Sequence, residues 1–480
     1  MVRSAVTLFV KDEVQDIVGW IAWHFSIGFE KIFIYDDHST DGTYELCKLF
    51  SKFYNVEVIR TDSKIQNFYW RQADSYKKAC RAAIGKFDWI CFLDGDEYIS
   101  LEKDVNISAF LERFSDFNGI ALSWRMYGSS GRVVKSKAPT YEAYTYHCQM
   151  DLEDCELGKV FIRPESFTFN YGNPHHFTLH DEKYANAWAK PIDLSQKPTH
   201  EIIWENACVN HYIVRSMQDF VEKVSKRINS NMTDSDGYWQ YFNRNELQTL
   251  PNEFFVQKAR KMIDFIKRES VKKFLSQGYV AQLAERMPAE SKSLLYRLRT
   301  AHNATFTLER HSSKVVQDFG NKAGDEVVCV IYENNKNICY FLILTDNDVS
   351  TKRFYFEAND CMQSSIAFRV YPSDGLYAFQ SLESQHFMAC IPEALGGSLV
   401  VDRDSVNDWE KFRLEPIERG EVFFSADPTL VHDEKSFAKF IAENNGYFSY
   451  GDFLIAWNNM DISSQKKILS SEAGRIISWL

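Results

Sequence analysis

Residues Trp89-Ile90-Cys91-Phe92-Leu93 form an unbroken apolar run that ends abruptly in Asp94-Gly95-Asp96-Glu97. So short a run, polar on both sides, predicts a strand buried on both faces of a parallel sheet. The carboxylates then fall just past the C-terminal end of that strand, where open α/β sheets bind ligands. Gly95 puts no side chain between the aspartates, so backbone can approach a bound group. Two carboxylates this close repel unless a cation joins them. Hard divalent ions such as Mn²⁺ or Mg²⁺ prefer one or two carboxylates plus phosphate oxygens. The pattern points to a metal–diphosphate site, against the plainer reading of a solvated acidic turn.

The residues before this run alternate in period. Strands are predicted at Val6–Val10, Lys31–Tyr35, Val56–Arg60 and Trp89–Leu93, with helices at 14–27, 44–53 and 68–84 between them. Gly28 is placed to end the first helix. A βαβαβαβ order predicts an α/β domain with a mostly parallel, Rossmann-like sheet and right-handed crossovers. Further polar residues then share the strand-end edge with Asp94 and Asp96: Lys11-Asp12-Glu13 and Asp36-Asp37. Asp41 and Thr43 read as helix-capping residues, whereas Asp36 and Asp37, directly at a strand end, read as ligand contacts.

The net charge of −11 argues against a nucleic-acid partner. Ten scattered cysteines without a CxxC pair predict reduced, mostly buried thiols and a cytoplasmic protein. The first residues turn charged too soon for a signal peptide, and no apolar run is long enough to span a membrane.

Glu13, the run Tyr35–Thr43 and the run Asp88–Ile99 together resemble a nucleotide-sugar-dependent glycosyltransferase of the GT-A fold, with Asp94-x-Asp96 as its DxD motif. Blocks at Trp124–Gly131, Gly158–Glu165, Pro174–Phe177 and Asn210–Arg227 keep the order seen in family-2-like and family-92-like transferases, over about residues 4–245. The resemblance implies transfer of a sugar from a nucleoside diphosphate sugar, a UDP-sugar in the first instance, to a hydroxyl of a glycan or lipid-linked acceptor. It implies inversion and a divalent cation, Mn²⁺ or Mg²⁺, held by Asp94, Asp96 and His211. Glu13, Asp36, Asp37, Arg71, Asp94, Lys159 and Arg163 are the expected nucleotide-sugar contacts, and Glu142 the expected catalytic base, with Glu153 and Asp154 as alternatives. Glu97 is expected beside the metal ligands, and at most one of the neighbouring His175 and His176 faces the site.

Residues 1–250 are thus expected to form the transferase domain, and 251–300 a helical connector of two helices. Residues 301–417 turn β-rich; the stretch from Leu376 to Leu414 resembles one lobe of a fascin-like β-trefoil, suited to binding glycan or to a structural role. Residues 418–480 read as a helical tail, packed in a core or touching the inner face of a membrane. Two other classes compete. A non-catalytic glycan-binding or scaffold protein would tolerate loss of the aspartates, and both are present. A nucleotidyltransferase would carry a Gly-rich phosphate loop near its first strand, and none is visible.

Overall fold

The computed structural model describes residues 2–136, 138–194, 201–227, 235–276, 293–309, 314–320, 324–332, 335–344, 349–350, 354–358, 361–363, 367–381, 384–417, 430–444 and 450–480. They divide into two units, Met1–Ser270 with Ser478–Leu480, and Val271–Ile477.

The first unit begins as its periodicity predicts: β1 (Ser4–Val10), α1 (Ile17–Ser26), β2 (Lys31–Asp36), α2 (Thr43–Phe50), β3 (Val56–Arg60), α3 (Phe68–Ala83) and β4 (Trp89–Leu93). These strands pair in parallel in the order β4-β1-β2-β3, with Leu8 beside Leu93 and Val10 beside Asp36. β1 and β4 are buried along their whole length, as central strands of a parallel sheet are; β1 buries Ser4 and Thr7 with its apolar residues. Gly28 takes φ +107° at the end of α1, where a side chain would be strained.

Beyond β4 the sheet becomes mixed. β5 (Glu97–Leu101) follows the Asp-Gly-Asp turn, and β6 (Gly119–Met126) runs at a distance from β4. Strand Gly158–Ile162 fills the gap, antiparallel to both β4 and β6. Strand Ala207–His211 lies between β5 and β6, antiparallel to the first and parallel to the second. Two tryptophans of α1 fasten β5 from below: Trp20 Nε1 donates to the Glu97 carbonyl at 2.9 Å and Trp23 Nε1 to that of Ile99 at 2.8 Å. The described cysteines are free, and those with described side chains are buried; Cys148 Sγ lies 3.4 Å from Cys155 Sγ.

The expected connector departs from its reading. One helix, Glu253–Ser276, is present, and residues 277–292 lie outside the described residues. Ser293–Thr300 is a strand, paired with Glu326–Tyr332 and Phe412–Pro416. Tyr296 and Leu298 pack into the core and alternate with Arg297 and Arg299 along it, a period of two that the Lys/Arg/Leu composition disguises as helical.

In the second unit six strands close a ring. Ser293–Thr300 pairs Glu326–Tyr332, then Asn335–Leu344, Ala367–Ser373, Leu376–Ser381 and Phe412–Pro416, which returns to the first. Three hairpins accompany the ring: Thr305–Leu308 with Val315–Asp318, Phe356–Ala358 with Cys361–Gln363, and Phe387–Cys390 with Leu399–Arg403. Phe306, Phe341, Phe356, Phe368, Phe379 and Phe412 fill its core. Residues 382–383 of the expected lobe, and 418–429 and 445–449 of the expected tail, lie outside the described residues. Helices Glu434–Asn444, Tyr450–Asn459 and Ile462–Ser470 follow. No helix among the described residues is long and apolar enough to cross a membrane.

Gly158 sits where two strands approach most closely. A Cβ there would lie 1.6 Å from the Leu122 carbonyl oxygen. Gly158→Ala should therefore cost about 1–3 kcal/mol, as overpacking does, and lower the thermal midpoint of the first unit. An unchanged midpoint would contradict this strand spacing.

Candidate active site

β1, β2 and β4 end on one edge of the sheet, and the loops that leave them carry Glu13, Asp36-Asp37 and Asp94-Gly95-Asp96. Lys159 arrives at the same edge from the opposite direction, because its strand is antiparallel to β4. Its ammonium lies 2.7 Å from Asp94 Oδ2 and 3.2 Å from Glu97 Oε2. The Lys159 and Glu97 side chains are fully buried, and that of Asp94 is 38% exposed. Glu97 is the hub. Its Oε2 accepts the Asp94 amide at 2.9 Å and its Oε1 accepts Trp124 Nε1 at 2.9 Å. Burial raises the Glu97 pKa, against the pull of Lys159. The same burial opposes the charge on Lys159, but Asp94 and Glu97 more than restore it.

Asp96 faces a second set of partners. Lys223, on helix Met217–Arg227, lies 3.2 Å from its Oδ2, and His211 Nε2 lies 3.6 Å from its Oδ1. The strand register sets the histidine's place, since His211 stands opposite Glu97. His211 Nδ1 is buried with no hydrogen-bond partner, and its ring lies 4.7 Å from that of Trp124. Arg215 closes the site. Its guanidinium holds Glu13 at 3.0 Å, Asp16 at 2.8 Å and the Gly95 carbonyl at 3.1 Å. Glu13 lies against Gly95, where an added Cβ would meet its Cγ at 3.5 Å. Burial raises the Glu13 pKa although Arg215 pulls the other way.

The remaining expected contacts sort themselves by geometry. Asp37 is held on both oxygens by Arg71, at 2.6 and 2.8 Å, and also accepts Thr61 Oγ1. Burial alone would raise its pKa, but Arg71 and Thr61 leave it lowered. Arg71 spends its other donors on the carbonyls of Ile65 and Gln66, so it braces a loop rather than facing a diphosphate. Asp36 takes Arg60 at 2.5 Å and the Ser39 amide on one oxygen, while its buried Oδ1 has no partner. Asp41 accepts the Thr43 amide and hydroxyl and the Val14 amide, one residue before Gly42, which stands at the N-cap of α2 with no side-chain cap.

Two assignments are corrected. Arg163 lies at the far end of the sheet, donating to the carbonyls of Phe117, Phe114 and Ser115 and stacking over Trp89, the first residue of β4. An antiparallel strand brings its start to the active edge and carries its end away. Glu142 is not a free base. Its carboxylate is taken by the Arg260 guanidinium, its side chain is 6% exposed, and the pair ties helix Glu253–Ser276 to residues 140–143. Asp154, one alternative, accepts the Tyr241 hydroxyl at 2.7 Å. Of the two histidines, His175 reaches the site: its Nδ1 meets the Gly158 carbonyl at 2.7 Å and its ring lies edge-on to Trp124. Burial and the Lys159 charge push its pKa down to about 4. His176 turns away, to Glu182.

Sequence reasoning did not single out Arg215, Lys223, Asp16 or Trp124. Arg215 carries a signal only in three dimensions, a positive φ of 53° at a non-glycine residue.

Among the described residues no three His, Cys, Asp or Glu side chains are gathered closely enough to hold a metal ion. The donor types still fit one. Asp94 and Asp96 offer carboxylates and His211 an imidazole, a set suited to Mn²⁺ or Mg²⁺, and Lys159 and Lys223 occupy the oxygens an ion would share. Among the described residues the carboxylates Glu13, Asp16, Asp94, Asp96 and Glu97 still outnumber the cations paired with them, Arg215, Lys135, Lys159 and Lys223.

The family model described as glycosyltransferase family 92 matches residues 4–253. A Ricinus communis protein described as a glycosyltransferase family 92 protein is 26% identical over 249 residues, which cover 50% of this chain and 39% of the relative. One from Oryza sativa subsp. japonica is 24% identical over 245 residues, covering 49% of this chain and 36% of the relative. The matched region therefore spans well under half the length of these relatives. Among solved structures, the S. aureus TarS fragment 1–349 is 13% identical, covering 66% of this chain and 97% of that one, at a TM-score of 0.26. The designed threefold-symmetric protein ThreeFoil is 17% identical, covering 26% and 99%, at 0.17. Likenesses at these scores carry no functional argument.

Asp96 makes the site sensitive to acid. Burial would raise its pKa, but Lys223 and His211 hold it well below the usual carboxylate range. A depressed folded value adds stability above the unfolded value of about 3.9. That stability is lost as pH falls through the folded value. Asp96→Asn should flatten the loss of stability below about pH 4, measured as urea midpoints across the acid range. Parallel curves for wild type and variant would rule out this charge balance.

Proposed function

The chain belongs to glycosyltransferase family 92, and from that premise we propose that it transfers a sugar from a nucleoside diphosphate sugar to an acceptor hydroxyl. The observation that carries this reading is the cluster of carboxylates and ammonium groups at the end of β4, in the place where a departing diphosphate would need its charge met. We further propose a UDP-sugar donor and an inverting outcome on a glycan or lipid-linked acceptor. Asp94, Asp96 and His211 would hold Mn²⁺ or Mg²⁺, which when bound supplies Lewis-acid stabilisation of the leaving diphosphate.

The chain's own residues have separable tasks. Lys159 is buried against Glu97, so it can turn from Asp94 to a phosphate oxygen while one counter-charge stays in place. Lys223 pairs with Asp96 and also donates to the Ile213 carbonyl, so it can turn from Asp96 to a phosphate oxygen while that carbonyl holds it. Arg215 holds Glu13 and the Gly95 carbonyl, which keeps the Asp-Gly-Asp turn fixed as charge moves past it. The unpartnered Asp36 oxygen offers an acceptor to a base or ribose hydrogen. His175 is kept neutral near pH 7 by its low pKa of about 4. With Nδ1 given to the Gly158 carbonyl, its other nitrogen can accept a hydrogen bond from an acceptor hydroxyl.

The second unit we read as a β-trefoil that holds glycan; its six-strand ring and three hairpins support the reading. We place the protein in the cytoplasm, against the inner face of a membrane. Exposed Val133, Val134, Met217 and Val221, brought together by the Gln218 amide on the Val133 carbonyl, support that contact. A glycan-binding protein without chemistry is less well supported, since the charged cluster is intact.

Thermal-shift titration with UDP-, GDP- and CMP-sugars, with and without Mn²⁺, should show a metal-dependent rise for one donor class. Asp94→Asn and Asp96→Asn should each fold normally and lose transfer by about a hundredfold or more. Normal turnover by both variants would remove the metal assignment, and no response to any nucleotide sugar would favour the non-catalytic reading.

A further inference from the structure

Ser478–Leu480 belongs to the first unit, although Val271–Ile477 intervenes in the chain. Ser478 joins two loops of the active edge. Its hydroxyl donates to the Asp41 carbonyl at 3.2 Å, and its own carbonyl accepts Gln15 Nε2 at 2.7 Å. Gln15 lies in the loop after β1, between Glu13 and Asp16, and Asp41 lies in the loop that follows Asp36-Asp37. Trp479 is 3% exposed and donates through Nε1 to Ser270 Oγ at 3.3 Å, which anchors the segment.

The two loops are already laced together on their inner side. Asp41 accepts the Val14 amide, Thr43 Oγ1 accepts the Glu13 amide, Ser39 Oγ accepts the Asp12 amide, and Asp12 accepts the Thr40 amide, all at 2.8–2.9 Å. They also hold backbone that resists its own conformation: Asp12 has φ +52° and His38 φ +59°, one in each loop. Non-glycine residues in the left-handed region persist only where the surroundings over-determine them. Ser478 adds a constraint from outside the loops, through Gln15 of one and Asp41 of the other.

We propose that Ser478 and Trp479 are positioning residues, a clip that holds the loops after β1 and β2 in the geometry that receives the nucleoside part of the donor. The proposal rests on the glycosyltransferase reading for its purpose, and on the hydrogen bonds alone for its mechanics. The clip touches no reacting atom; it acts through Gln15 and Asp41 on the backbone of Glu13 and the segment after Asp37.

The test uses the full chain with Trp479→Ala, Gln15→Ala and Trp479→Phe. Amide hydrogen exchange is followed in peptides covering residues 11–16 and 38–43, and UDP binding is titrated calorimetrically in Mn²⁺. Both alanine variants should exchange faster in these two loops, and bind UDP more weakly, by about three- to tenfold, the span of one or two lost hydrogen bonds. Trp479→Phe, which keeps the packing, should stay closer to wild type. Unchanged exchange in the two loops overturns the clip, and so does acceleration spread evenly over the first unit, which is the mark of a purely structural contact. A wild-type chain that binds neither UDP nor GDP overturns the donor reading and the purpose given to the clip, and the exchange data separate that failure from a failure of the clip itself.

Discussion

Everything at the active edge depends on the buried pairing of Lys159 with Glu97 and Asp94. Glu97 is the first residue of β5, accepts from Trp124 of β6, anchors the Asp94 amide, and lends its backbone carbonyl to Trp20 of α1. A fully buried carboxylate and ammonium are stable only as partners, since either alone would face an uncompensated desolvation cost. The pair therefore locks the strand that carries Lys159, the turn that carries the aspartates, and the helix beneath them into one arrangement. Removing either member would leave a buried charge, which typically costs about 3–5 kcal/mol.

Around this pair the site is organised as linked couples of charge. Asp94 has Lys159, Asp96 has Lys223, Glu13 and Asp16 share Arg215, and Asp37 has Arg71. Each couple fixes a loop, and the couples differ in whether a member can exchange its partner for a phosphate or a cation. That property separates the members. Lys159 keeps Glu97 if Asp94 turns away, whereas Arg71 grips both Asp37 oxygens and two backbone carbonyls and serves as a brace. The family assignment says what kind of protein carries this edge; the couples tell which side chains are fixed and which can change partner.

Much of this was legible in the chain before any coordinates. The apolar run into Asp94-Gly95-Asp96 fixes a buried parallel strand and places its carboxylates at the ligand edge, and the alternating periods around it give the order of the first strands. Lys159, Glu97 and His211 are expected near the aspartates from the family resemblance, and strand pairing gathers them at that edge. Arg163 was misplaced because a lone strand has no readable direction; only its pairing with β4 shows that it runs backwards. Glu142 was misread because its partner, Arg260, lies 118 residues away. The strand Ser293–Thr300 reads as helix in the sequence because its alternating stretch is short and follows a long run rich in Lys, Arg and Leu; its pairing with Phe412–Pro416 decides it.

The sequence by itself thus determined which segments are buried, where strands stop, and which carboxylates stand at the edge, because these follow from local periodicity and from the cost of burying polar groups. Only the tertiary structure decided which cation meets which carboxylate. Arg215, Lys223 and Lys159 approach Glu13, Asp96 and Asp94 across gaps of 202, 127 and 65 residues. Ion pairing depends on distance in space, and strand direction and register, which set that distance, are properties of the whole sheet rather than of any one stretch of chain.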